Sequence, residues 1–169
     1  VIRDHAHSHF CRGPEVPARP NFRALLPAQL DVLSVLTVRH PLDSFASLLR
    51  NEWIHFTPGT FDEYCRRYLL FLDSYDGLPL LRYEDFVQQP EATMQQMCRL
   101  LELPYEPHFA DLFSAFQISG DSGRTGGAIT PRPSLPAATR LQGEAQASDH
   151  FLQLLARLGY GEQPGALVR

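Results

Sequence analysis

The chain has 169 residues, 44% of them hydrophobic, and a formal charge of −4 at neutral pH. That length and apolar share suit one sizeable core and a single domain over residues 1–169. The negative balance argues against a general nucleic-acid binder, whose phosphate contacts would show as a basic excess.

Residues 1–10 read as a strand on which His5, His7 and His9 alternate and share one face. Three imidazoles on one face invite a zinc site. The His-x-His-x-Asp-His pattern of dinuclear hydrolases is not met, however, and one functional histidine among exposed or hydrogen-bonded ones is the plainer expectation. Residues 12–20 hold Gly13, Pro14, Pro17 and Pro20 and read as a loop, followed by a short helix over 22–30. Residues 32–38 are β-branched and nearly all apolar, as expected of a strand covered on both faces in a parallel sheet. Trp53, His55 and Phe56 lie next to the following helix and are better explained by packing than by a pocket. Over 60–75, Phe61, Tyr64, Tyr68, Leu69 and Leu72 recur at helical spacing behind Thr60 as N-cap, forming a core stripe. A short helix over 109–116, an irregular stretch over 125–136 and a closing helix over 148–158, ended by Gly159, complete the series. No run of 18 apolar residues exists to span a membrane. Cys11, Cys65 and Cys98 are odd in number and lack Cys-x-x-Cys spacing, which points to reduced thiols in a cytosolic setting.

The segment Val38-Arg39-His40-Pro41-Leu42-Asp43-Ser44-Phe45-Ala46-Ser47 carries the most chemistry. An apolar strand ends at Arg39. Pro41 suits the first helical position, where its missing N–H would be unpaired anyway, and no breaker interrupts residues 42–50. Ligands of open α/β sheets bind outside the carboxyl ends of strands, and a helix N-terminus offers free N–H groups to an anion. Arg39 adds a charged planar fork of donors. Ser47 stands six residues past Pro41, roughly 9 Å along the helix, and supplies a hydroxyl. Alone, the pair would read as a surface ion pair and a solvated serine.

Two further segments bear on an anion. Leu78-Pro79-Leu80-Leu81-Arg82 is a short strand running into a Tyr83-Glu84-Asp85 turn, and Pro90 then opens an amphipathic helix over 91–101. Tyr83 has an aromatic body with a polar tip, and Glu84 and Asp85 fit turn and capping roles. Ser119-Gly120-Asp121-Ser122-Gly123-Arg124 lets backbone N–H groups converge on an anion beside an arginine, or else is a surface linker.

Together these segments resemble the sulfotransferase family that uses 3′-phosphoadenosine 5′-phosphosulfate. The resemblance covers nearly the whole chain. It implies that Arg39 and Ser47 hold the donor's 3′-phosphate, that Tyr83 contacts the adenine, and that Ser122, Gly123 and Arg124 form a late loop over the same phosphate, although the family's usual Arg-Lys-Gly form is absent. Its second strand ends in Lys-x-His, and Arg3-Asp4-His5 is similar with Arg for Lys. His5 would then be the general base and Arg3 the contact to the transferring group.

The implied fold is three-layer α/β, P-loop-like, with a mostly parallel central sheet. Its first strand, phosphate loop and first helix are expected upstream of Val1, so the domain reads as incomplete at the N-terminus. No glycine loop precedes residue 10, and all fifteen Lys-plus-Arg positions are arginine. The implied activity is sulfonate transfer from that donor to a hydroxyl or amine of a small-molecule or carbohydrate acceptor, touched by the 12–20 loop, with no metal and no nucleic acid involved. This stretch alone could be inactive. A non-catalytic nucleotide-binding module, a histidine-cluster metal protein and a P-loop kinase relative are the alternatives, the last disfavoured by the missing lysine loop.

Overall fold

The computed structural model describes residues 2–5, 7–113, 128–131 and 133–161. In chain order they form α1 (His7–Phe10), β1 (Arg12–Gly13), a 3-10 turn (Arg23–Leu25), β2 (Leu36–Val38), α2 (Pro41–Arg50), β3 (His55–Phe56), α3 (Phe61–Ser74) and β4 (Leu80–Arg82). Then come α4 (Tyr83–Gln88), α5 (Pro90–Leu100), α6 (Phe109–Leu112), α7 (Pro136–Arg140), α8 (Gln142–Gln146) and α9 (Asp149–Leu158). They gather into two units, one of Val1–Val32, Arg39–Leu78 and Pro133–Arg169, the other of Leu33–Val38 and Pro79–Arg132.

The spine of the first unit is α3. Thr60 caps it as its spacing predicts, the hydroxyl accepting the Glu63 N–H at 3.3 Å. Phe61, Cys65 and Leu72 are buried on one face, where α9 packs with Phe151, Leu154 and Leu158. Phe61 meets Phe45 at 5.5 Å and Phe151 at 5.2 Å between ring centroids, so α2, α3 and α9 share one aromatic core. Each such side chain contributes roughly 1.5–3 kcal/mol on burial. Ser148 starts α9 by accepting the Phe151 N–H at 3.1 Å, and Gly159 ends it at φ 70°, a left-handed turn that suits glycine.

The described residues among 1–10 do not form the expected strand. Residues 2–5 have no regular structure, and His7–Phe10 is one helical turn. The histidine alternation is preceded by Asp4 and has only Ala6 and Ser8 between its members, so it offers no sizeable apolar face for a sheet to bury. Strand structure begins at β1, which pairs in parallel with β3, Arg12 opposite His55. Arg67 of α3 organises this segment. Fully buried, it bonds Glu63 at 2.6 Å and donates to the carbonyls of Phe10 (2.9 Å), Arg12 (3.2 Å), Gly13 (3.0 Å) and Pro14 (2.9 Å). Phe56 of β3 lies beneath its guanidinium at 5.0 Å. Cys11, Cys65 and Cys98 are free, and burial pushes the Cys11 thiol up to about 11 and Cys65 higher still. The helix expected over 22–30 shortens to the 3-10 turn, leaving Leu25 exposed.

In the second unit β2 pairs in parallel with β4, Leu36 opposite Leu80 and Val38 opposite Arg82. The strand expected over 32–38 occupies only its last three residues. Tyr83-Glu84-Asp85 is the first turn of α4 rather than a loop. Arg82 at its N-cap forks onto Asp85 at 2.8 and 3.0 Å, a pair that fixes the entry of the helix. Pro90 opens α5 at its first turn, and α5 packs on α4. The described residues are thus mixed α/β, with parallel strands paired two by two. No described helix is long and apolar enough to cross a membrane.

Candidate functional site

Pro41 is the first residue of α2, with half-buried Arg39 and His40 just before it. The helix starts there because proline presets the backbone for it and Ser44 N–H bonds the His40 carbonyl at 2.9 Å. Two tyrosines of α3 hold this turn. The Arg39 N–H donates to the Tyr68 hydroxyl and that hydroxyl donates to the Arg39 carbonyl, both at 3.2 Å. Tyr64 donates to Ser44 Oγ at 2.7 Å, and burial keeps its phenol well above the ordinary value, so it remains a donor at any working pH. The His40 ring packs edge-on against Tyr160, 4.9 Å between centroids.

Ser47 lies two turns into α2 and is half-buried. Asn51 donates to its carbonyl at 2.8 Å and to its Oγ at 3.4 Å, leaving the serine O–H as a donor. Arg39 just before α2 and Ser47 in its second turn carry a guanidinium and a hydroxyl, donor types that suit a phosphate.

The Arg3-Asp4-His5 triplet belongs to the same unit. Arg3 and His5 are exposed, while Asp4 accepts the Tyr75 hydroxyl at 3.2 Å. Burial and Asp4 raise the Tyr75 phenol to about 12, so it too stays a donor. Tyr68 lies within α3, and Tyr75 is the residue that ends it. Tyr68 holds the backbone of Arg39, and Tyr75 holds Asp4 of the triplet. In the sequence Tyr64 and Tyr68 were legible only as core. The available signal was the recurrence of Tyr at 64, 68 and 75, since hydroxyls taken out of water require partners.

Tyr83 is a half-buried residue at the start of α4, in the other unit. Ser122, Gly123 and Arg124 lie outside the described residues. Among the described residues no group of three His, Cys, Asp or Glu side chains comes together to hold a metal ion, and the strand that would have aligned His5, His7 and His9 is absent there.

No protein-family model matches the chain, and no curated protein matches its sequence. Among solved structures it is similar to a sulfotransferase domain from the curacin biosynthetic pathway, with 18% identity and a TM-score of 0.42 over 75% of this chain. The chain spans about half, 53%, of that domain's length.

Proposed function

We propose that the chain is part of a sulfotransferase that grips the 3′-phosphate of 3′-phosphoadenosine 5′-phosphosulfate with Arg39 and Ser47 and passes its sulfonate to a hydroxyl or amine of a small-molecule or carbohydrate acceptor. The supporting observation is that Tyr68 of α3 bonds the backbone of Arg39 while Tyr75, the residue just past that helix, bonds Asp4 of the Arg3-Asp4-His5 triplet. In this reading His5 takes the acceptor proton as oxygen attacks sulfur, and the bridging S–O bond breaks in line, leaving adenosine 3′,5′-bisphosphate with the electron pair. Arg3 balances charge on the sulfonate. Tyr83 as adenine contact, Ser122-Gly123-Arg124 as phosphate loop, the three-layer P-loop-like arrangement over one domain and a cytosolic location belong to the proposal and rest on the sequence.

Calorimetric titration with adenosine 3′,5′-bisphosphate tests the grip: Arg39→Ala should weaken binding by about 1.5–3 kcal/mol, the worth of a charged hydrogen bond. Unchanged affinity rejects it. The exposure of Arg3 and His5 favours a second reading, a nucleotide-binding module without catalysis. Release of the bisphosphate from the donor across a panel of hydroxyl acceptors, lost in His5→Ala with donor binding kept, would reject that module.

A further inference from the structure

His9 and Arg19 meet across a cleft of about 490 Å3 lined also by Phe10, Val16, Pro17 and Asp73. The Arg19 Nε–H donates to His9 Nδ1 at 3.1 Å. A neutral imidazole that accepts at Nδ1 carries its proton on Nε2, so its second nitrogen is a donor. The same bond uses one of the five N–H donors of Arg19. The guanidinium is exposed, and its terminal nitrogens keep the planar edge that matches two oxygens of an anion.

Burial, reinforced by Arg19, holds the His9 imidazole below its ordinary value. The pair therefore carries one positive charge near neutral pH. Two carboxylates stand nearby and both are engaged: Asp73 of α3 pairs with Arg157, and Asp4 accepts the Tyr75 hydroxyl. Asp4 opposes the shift on His9. This part of the cleft is lined by the donors of His9 and Arg19 and by apolar walls from Phe10, Val16 and Pro17, with the Asp73 charge met by Arg157.

We propose that His9 and Arg19 form an oxyanion site that takes the carboxylate, sulfate or phosphate of a small acidic ligand. It uses none of the residues of the Arg39–Ser47 clamp and stands whatever that clamp binds. An anion seated there accepts from His9 Nε2–H and from the terminal N–H groups of Arg19, while Nδ1 keeps its bond from Arg19 and the imidazole stays neutral.

The test follows the His9 ring resonances, assigned with His9→Gln, as sodium sulfate, acetate and methyl phosphate are each added at constant ionic strength. The protein is the 169-residue chain, beside its Arg39→Ala variant. The site predicts a saturable shift with at least one anion, retained in Arg39→Ala and weakened about fivefold or more in Arg19→Gln. The anion that saturates at the lowest concentration identifies the headgroup. Shifts that grow without saturation for all three, or saturation that survives Arg19→Gln, overturn the proposal.

Discussion

The Tyr68 hydroxyl closes on both backbone groups of Arg39, accepting its N–H and donating to its carbonyl at 3.2 Å each. One side chain thereby fixes the peptide on either side of the clamp arginine and ties it to α3. Tyr68→Phe removes both bonds while leaving the ring packed. It should cost about 1–2 kcal/mol of stability in urea titrations. If Tyr68 positions Arg39, affinity for adenosine 3′,5′-bisphosphate should also fall about 3- to 10-fold while affinity for 5′-AMP stays put. An equal loss for both ligands would reduce Tyr68 to a packing residue.

Arg67 is the second place where α3 dictates the path of the N-terminal segment. A buried guanidinium that serves Glu63 and the carbonyls of Phe10, Arg12, Gly13 and Pro14 has no water to replace them. Arg67→Met leaves Glu63 with Arg66 alone and strands the carbonyls, at a cost of about 3–5 kcal/mol. Denaturant unfolding measures it. A change under 1 kcal/mol, roughly the worth of an exposed ion pair, would contradict the role assigned to it.

Acid should weaken the first unit through two carboxylates of α3. Asp62 is held below its ordinary value chiefly by the Ser148 hydroxyl, and Glu63 chiefly by Arg66 with Arg67 adding, in each case against burial. Depressed folded-state values mean that this stabilisation is complete above the unfolded carboxylate range. It disappears as pH falls from about 4.5 through the folded values. Thermal melts between pH 7 and 2 should show that decline, and Asp62→Asn with Glu63→Gln should flatten it. Parallel declines in the parent and the double variant would refute the assignment.

Helix starts were legible because their signals are local. Pro41 presets its own φ, Thr60 and Ser148 reach N–H groups three residues on, and Gly159 takes a left-handed turn. Two short apolar runs showed β2 and β4 as strands, though not that they pair with each other. The N-terminal segment was not legible, because Arg67 lies 53 to 57 residues from the carbonyls it binds. The Tyr83-Glu84-Asp85 turn became helix because Asp85 pairs back to Arg82, a contact that turn propensities do not register. For the clamp, the spacing of Arg39 and Ser47 was visible, whereas the tyrosines behind it required knowing which face of α3 meets the turn.

The central claim is that the turn before α2 reads a 3′-phosphate. Calorimetry of the unaltered chain with adenosine 3′,5′-bisphosphate and with 5′-AMP tests it most directly. The account predicts that the bisphosphate binds at least about tenfold more tightly, since its extra phosphate meets the Arg39 fork and the Ser47 hydroxyl. Equal affinities would contradict it.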